Sequence, residues 1–180
     1  MRHDISLPSE SNTIGYVRLH KHNLSKKELS EVTKISDNFY NYLFRNDIKL
    51  KLIDMNKTGA GSQVIQEIFI DHLTDNGFKD EKKGLFNDYQ TPGLRPDYYL
   101  EIKNGGIILE VERGKTIRNN MDLLDIWKCH ICKEANHLFL VVPLSVSHTP
   151  NIFNYVVKRA EAFFNKENYV NIDSISIFGY

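Results

Sequence analysis

The stretch from Pro96 to Glu112 constrains the fold more than any other part of the chain. It runs Pro96-Asp97-Tyr98-Tyr99-Leu100-Glu101-Ile102, then Lys103-Asn104-Gly105-Gly106, then Ile107-Ile108-Leu109-Glu110-Val111-Glu112. Asn-Gly and Gly-Gly pairs form tight two-residue turns between antiparallel strands, so the stretch reads as a β-hairpin. Side chains alternate faces along a strand. Ile108, Glu110 and Glu112 therefore share one face, and Ile107, Leu109 and Val111 the other. A turn at Asn104-Gly105 sets Asp97 opposite Glu112; a turn at Gly105-Gly106 moves the register by two and keeps the faces. In both registers Asp97 and Glu101 join the face of Glu110 and Glu112. An odd-length turn or a bulge would break the relation.

Carboxylates gathered on one face repel one another and call for a cation, a basic partner or open water. An all-oxygen cluster suits Mg²⁺, with Mn²⁺ as a substitute, because both keep waters free for a substrate. A lone Glu-x-Glu is ordinarily a solvated sheet face. The addition of Asp97 to the same face is what turns this one into a candidate metal site.

The flanking pattern predicts an α/β domain. Residues 1–24 are polar and read as an arm, with a short strand at Ile14–Leu19. Ser25-Lys26-Lys27-Glu28 is a capping-box pattern that opens a helix to about Phe44. Lys49–Ile53 reads as a short strand. A helix over Gln63–Asp75 follows, stopped by Asn76-Gly77. Leu85–Tyr89 is a further strand candidate. Beyond the hairpin come a helix over Asn119–Lys133 and the wholly apolar Leu138–Val142, a strand buried on both faces. A helix after Pro150 and a strand at Ile172–Phe178 close the chain. Helices alternating with a buried strand imply a mixed sheet. Residues 1–58 form an N-terminal arm and helix packed on a core of residues 59–180, the whole making one domain.

Pro96-Asp97 followed on the next strand by Glu110-Val111-Glu112 resembles the signature of the PD-(D/E)xK nuclease superfamily, to which many restriction endonucleases belong. Glu67 on the preceding helix, with Leu73 and then Gly77-Phe78, fits the same pattern. The likeness covers about half the chain. It implies a restriction-endonuclease-like αβββαβ core with an N-terminal helical extension. It also implies a catalytic set of Asp97, Glu110, Glu112 and Glu67, with Mg²⁺ held by Asp97, Glu110 and Glu112. The implied activity is DNA cleavage leaving 5′-phosphate ends, by a type II restriction-type enzyme acting as a homodimer on double-stranded DNA. Glu112 stands where the family usually has Lys, so it serves either as general base or as a metal contact. Lys115 and Lys128 are candidates for the missing positive charge. A helical wheel of Gln63–Asp75 places Glu67 away from the buried face, so only the family spacing promotes it. Two alternatives share the fold: a structure-selective repair or Holliday-junction nuclease, and an inactive DNA-binding protein.

Lysine and arginine number 23, as do aspartate and glutamate, giving no net charge. That argues against a non-specific cationic coat, while leaving room for local patches. Arg113, Lys115, Arg118 and Asn119 directly follow the acidic strand and are the candidate phosphate contacts. Gly59-Ala60-Gly61-Ser62 lacks the Lys-Ser/Thr of a P-loop and reads as a helix entry with Ser62 as N-cap. Cys129 and Cys132 lack the second ligand pair of a structural zinc site and read as reduced thiols. Trp127, Phe139, Phe163 and Phe164 read as core residues. No run of about 18 apolar residues and no signal-type apolar segment occurs, so a cytoplasmic protein without a membrane partner is expected.

Overall fold

A computed structural model describes residues 1–9, 13–56, 61–80, 95–114, 116–117, 119–146, 149–165 and 168–180. The chain forms a seven-stranded mixed sheet flanked by helices. Its strands are β1 (Arg2–Ser6), β2 (Gly15–His20), β3 (Lys79–Asp80), β4 (Tyr98–Ile102), β5 (Gly105–Val111), β6 (His137–Val142) and β7 (Ser174–Gly179). They lie in the order β1-β2-β7-β6-β5-β4-β3. The helices are α1 (Lys26–Leu43), α2 (Asn46–Met55), α3 (Ser62–Asp75), α4 (Met121–Ile131) and α5 (Ile152–Ala162). β3, β4 and β5 form an antiparallel meander, and β6 and β7 then run parallel to β5. The two parallel steps are crossed by α4 and α5.

Alternation along the strands builds two cores. Ile107, Leu109, Val111, Phe139 and Phe178 face the helices of the chain's first half, with Phe39, Ile65 and Phe69. Ile108, Leu138, Leu140, Ile175 and Ile177 face the other layer, with Ile126 of α4 and Val156 of α5. Every residue of β6 is buried, as its apolar run predicts for a strand covered on both sides.

Several elements differ from the sequence expectation. Residues 1–24 are more than an arm: β1 pairs with β2, and β2 pairs along its whole length with β7. Tyr16, Val17 and Leu19 are what anchor it, since all three are buried. Lys49–Ile53 is part of α2, not a strand. Its alternating lysines and apolar residues mimic a two-residue period. What decides the matter is Ile48 and Leu52, one helical turn apart and both buried. Ser62 is the first residue of α3 and Gly61 occupies the cap position, with no side-chain cap bond. Ser25 does cap α1, accepting from the Glu28 N–H at 3.2 Å. The strand expected at Leu85–Tyr89 lies outside the described residues, as do Gly59, Ala60, Lys115 and Arg118.

The hairpin turn is Lys103-Asn104, because Ile102 pairs with Gly105. The two glycines are needed elsewhere. Gly105 begins β5 at φ 113°, and a Cβ there would strike the Asn136 side chain. A Cβ on Gly106 would press on the Tyr99 ring and stand 2.6 Å from the Glu134 carbonyl oxygen. The register differs by two from a turn at Asn104-Gly105, so facial parity survives. Extending the observed pairing of Tyr98 with Leu109 brings Asp97 opposite Glu110.

Candidate active site

Asp97, at the threshold of β4, is locked to β5 in two ways. Its Oδ2 accepts from the Val111 N–H at 2.8 Å, and its own N–H donates to Glu110 Oε2 at 3.4 Å. Glu110 is only 3% exposed. Its other oxygen, Oε1, accepts from Lys128 Nζ at 2.6 Å. Lys128 also reaches Asp125 Oδ1 at 3.3 Å, one helical turn back along α4. Glu112, half-buried at the end of β5, lies within hydrogen-bonding reach of Asp125. Four carboxyls therefore surround one ammonium.

Electrostatics follow from that imbalance. Burial, above all, pushes Glu110 well above the usual carboxylate range, while Lys128 pulls it back and Asp125 and Asp97 raise it further. Burial and the charges of Asp125 and Asp97 raise Glu112 to about 8. Asp125 rises to about 6, again chiefly through burial, with Lys128 opposing. Burial alone would lower Lys128, yet the charges of Glu110 and Asp125 overcome it and hold the ammonium protonated. At neutral pH Glu112 therefore keeps a proton that it donates to Asp125. With both groups ionised, Asp125 Oδ2 is a buried oxygen without a hydrogen-bond partner.

Glu67 is exposed on α3, as the helical wheel expects, yet it lines a cavity of about 300 Å³ together with Asp97, Asp80, Gln66 and Tyr98. Tyr98 Oη donates to the Gln66 carbonyl at 3.1 Å and ties α3 to β4 beside it. Asp97 thus touches both the cavity of Glu67 and the cluster of Glu110 and Lys128. Glu101 points to solvent at the far end of β4 and takes no part.

The candidate phosphate contacts fare differently. Arg113 is buried, with its charge felt by the phenol of Tyr180, whose hydroxyl donates to the Glu112 carbonyl at 3.0 Å. Asn119 is exposed just ahead of α4.

Helix α4 turns Trp127, a residue expected in the core, toward solvent. It buries Asp122, Asp125, Ile126 and Cys129. Its apolar stripe faces solvent, with Leu124 52%, Trp127 55% and Ile131 42% exposed. Trp127 is therefore not a core residue; Phe139 is, while Phe163 and Phe164 are partly buried against the core. This orientation conceals Asp125 from a sequence reading, because the apolar stripe draws the helix the wrong way round. What compensates the buried aspartates is charge: Lys128 for Asp125, and Arg159 of α5 for Asp122 at 3.3 Å. Asp80 also escaped the sequence reading, having no motif around it.

Cys129 and Cys132 are buried thiols, and burial raises Cys129 well above its ordinary range. His137 is engaged elsewhere, between Ser174 Oγ at 2.7 Å and Glu28 Oε1 at 3.2 Å.

The donors around Lys128 are all hard oxygens, which suits Mg²⁺ or Mn²⁺. Among the described residues no three His, Cys, Asp or Glu side chains already surround one cation-sized position. Among the same residues no helix is long and apolar enough to cross a membrane. Comparison with family models, curated proteins and solved structures gives no match.

Proposed function

We propose that this chain is a metal-dependent DNA endonuclease of the PD-(D/E)xK type, hydrolysing phosphodiester bonds to 5′-phosphate and 3′-hydroxyl ends. The observation that carries the reading is Lys128 Nζ at 2.6 Å from Glu110 Oε1, with Asp97 hydrogen-bonded to the same glutamate. An aspartate, a glutamate and a lysine meet there although the strand position expected to hold lysine is Glu112. The succession α3-β3-β4-β5-α4-β6 supports the same reading, since it has the αβββαβ order that the resemblance implies.

The buried carboxyls favour a cation, because one ammonium leaves their charge undercompensated and forces protonation instead. Asp97, Glu110 and Glu112 would hold Mg²⁺, waters filling the remaining positions. A bound Mg²⁺ stabilises charge on the phosphate and lowers the pKa of water.

The chain's own contributions are positional and electrostatic. Lys128, held by Glu110 and Asp125, fixes a positive charge against the developing phosphorane charge. Asp97 is held in place by the Val111 N–H, so its carboxylate is oriented before substrate arrives. As a ligand Glu112 would be ionised, and the attacking water would give its proton to solvent. The leaving 3′-oxygen takes its proton from solvent.

Double-stranded DNA is the proposed substrate, cut by a homodimer in the manner of a restriction-type enzyme. Incubation with Mg²⁺ or Mn²⁺ and either linear duplex or four-way junction DNA tests the substrate class. Discrete duplex fragments carrying 5′-phosphates are expected. Cleavage of the junction alone would shift the reading to a structure-selective nuclease. Metal binding without cleavage of either substrate would leave a DNA-binding protein on this fold.

A further inference from the structure

We propose that Glu112 and Asp125 together form a seat for a divalent cation of the Mg²⁺ or Mn²⁺ class. Asp125 is then a ligand that the Pro-Asp/Glu-x-Glu signature does not assign. The proposal deepens, and rests on, the nuclease reading of the same site.

The geometry of the cluster divides it in two. Lys128 Nζ takes one oxygen of Glu110 and one of Asp125, so it stands between those two carboxyls. On its Glu110 side, both glutamate oxygens already accept hydrogen bonds, from Lys128 and from the Asp97 N–H. On its Asp125 side, the second carboxylate oxygen does not. Asp125 is 1% exposed, and its Oδ2 is buried without a hydrogen-bond partner. The other carboxyl within hydrogen-bonding reach of Asp125 is that of Glu112. The two carboxyls therefore face each other, and what stands between them is either the proton of Glu112 or a cation. A buried acceptor left unfilled is costly, so the arrangement persists where something positive fills it. Glu112 is half-buried, leaving a side open to water. Two carboxylates plus waters or phosphate oxygens are the ordinary donor set of Mg²⁺. The backbone around the pair is fixed independently: Tyr180 Oη binds the Glu112 carbonyl, and α4 is anchored by Ile126 and Cys129 on either side of Lys128.

Titration of the full chain with Mn²⁺, followed by the electron paramagnetic resonance of free Mn²⁺, tests the proposal without reference to cleavage. Asp125→Asn keeps the shape and the bond to Lys128 but removes the charge. It is expected to weaken Mn²⁺ binding by roughly tenfold or more, at least the loss typical of a supporting residue around a metal. Glu112→Gln is expected to do the same and serves if Asp125→Asn fails to fold. The near-ultraviolet circular dichroism of Trp127, on the same helix, reports whether α4 is intact. Wild-type Mn²⁺ affinity in either variant, with that signal unchanged, would overturn the proposal, as would a wild type that binds no Mn²⁺. Cleavage is read separately. A protein that binds Mn²⁺ through Asp125 but cuts no DNA keeps this seat and loses the nuclease reading. One that cuts DNA equally well with Asp125→Asn, at unchanged Mn²⁺ affinity, does the reverse.

Discussion

Lys128 Nζ lies 2.6 Å from Glu110 Oε1, joining the last turn of α4 to the end of β5. The site's positive charge thus arrives from a helix, 18 residues beyond the strand glutamate that it pairs with. Lys128→Met would leave Glu110 buried and unpaired. A loss of about 3 kcal/mol is expected near pH 8, the lower end for breaking a buried pair, because Lys128 itself is partly exposed. Glu110 has a raised pKa in the folded state, so its penalty is greatest when ionised and disappears below the ordinary carboxylate range. Urea denaturation at pH 8 and pH 5 should therefore show a smaller loss at the lower pH. Equal losses at both would mean that the pair is not the source.

The carboxyl of Glu112 faces Asp125, Asp97 and Lys128, and its pKa is raised to about 8 in the absence of metal. A raised carboxyl binds its proton more tightly in the folded chain than in the unfolded one. Its stabilising effect is complete below the unfolded value and is lost as pH rises through 8. Between pH 7 and 8 the metal-free protein should lose stability, levelling off above, and Glu112→Gln should flatten the change. His137 does not obscure this window, since burial lowers it to about 4 and leaves it neutral throughout. A denaturation midpoint independent of pH in the wild type would contradict the assignment.

Gly106→Ala should destabilise the fold by about 1–3 kcal/mol through overpacking. The added methyl would meet the Tyr99 ring and the Glu134 carbonyl, the latter at 2.6 Å. Chemical denaturation measures it. A neutral variant would show that β5 does not pack this closely against its neighbours.

Trp127 is the sole tryptophan, so intrinsic tryptophan fluorescence reports on it alone. At 55% exposure it should emit as a water-exposed indole and be quenched by iodide in the folded state. Trp127→Ala should cost under about 1 kcal/mol, against about 3–5 for a buried tryptophan. A blue, unquenched emission would place the stripe of α4 inside.

Parity carried most of what the sequence made legible. Glu110 and Asp97 share a face because strand alternation survives a two-residue change of register, so the error in the turn did not matter. The buried run Leu138–Val142 was readable for a similar reason, as a strand without a solvent face has no alternation to lose. Helices were less transparent where tertiary charge decided the facing. Leu124, Trp127 and Ile131 form an apolar stripe that local periodicity would bury, yet the pairing of Asp125 with Lys128 and of Asp122 with Arg159 turns α4 over. Arg159 lies on another helix, so nothing near Asp122 in sequence announces it. Glu67 illustrates the converse: the wheel correctly exposes it, and only the meeting of α3 with β4 brings it to the cavity of Asp97.

Cleavage of supercoiled plasmid in Mg²⁺ or Mn²⁺, comparing the wild type with Asp97→Ala, tests the central claim most directly. Asp97 orients against Glu110 and Val111 without belonging to either core, so the variant should fold and bind DNA while cleavage disappears. Linear product from the wild type and none from Asp97→Ala is the predicted result. Equal cleavage by both proteins, or no cleavage of any DNA by a wild type that binds the metal, would contradict it.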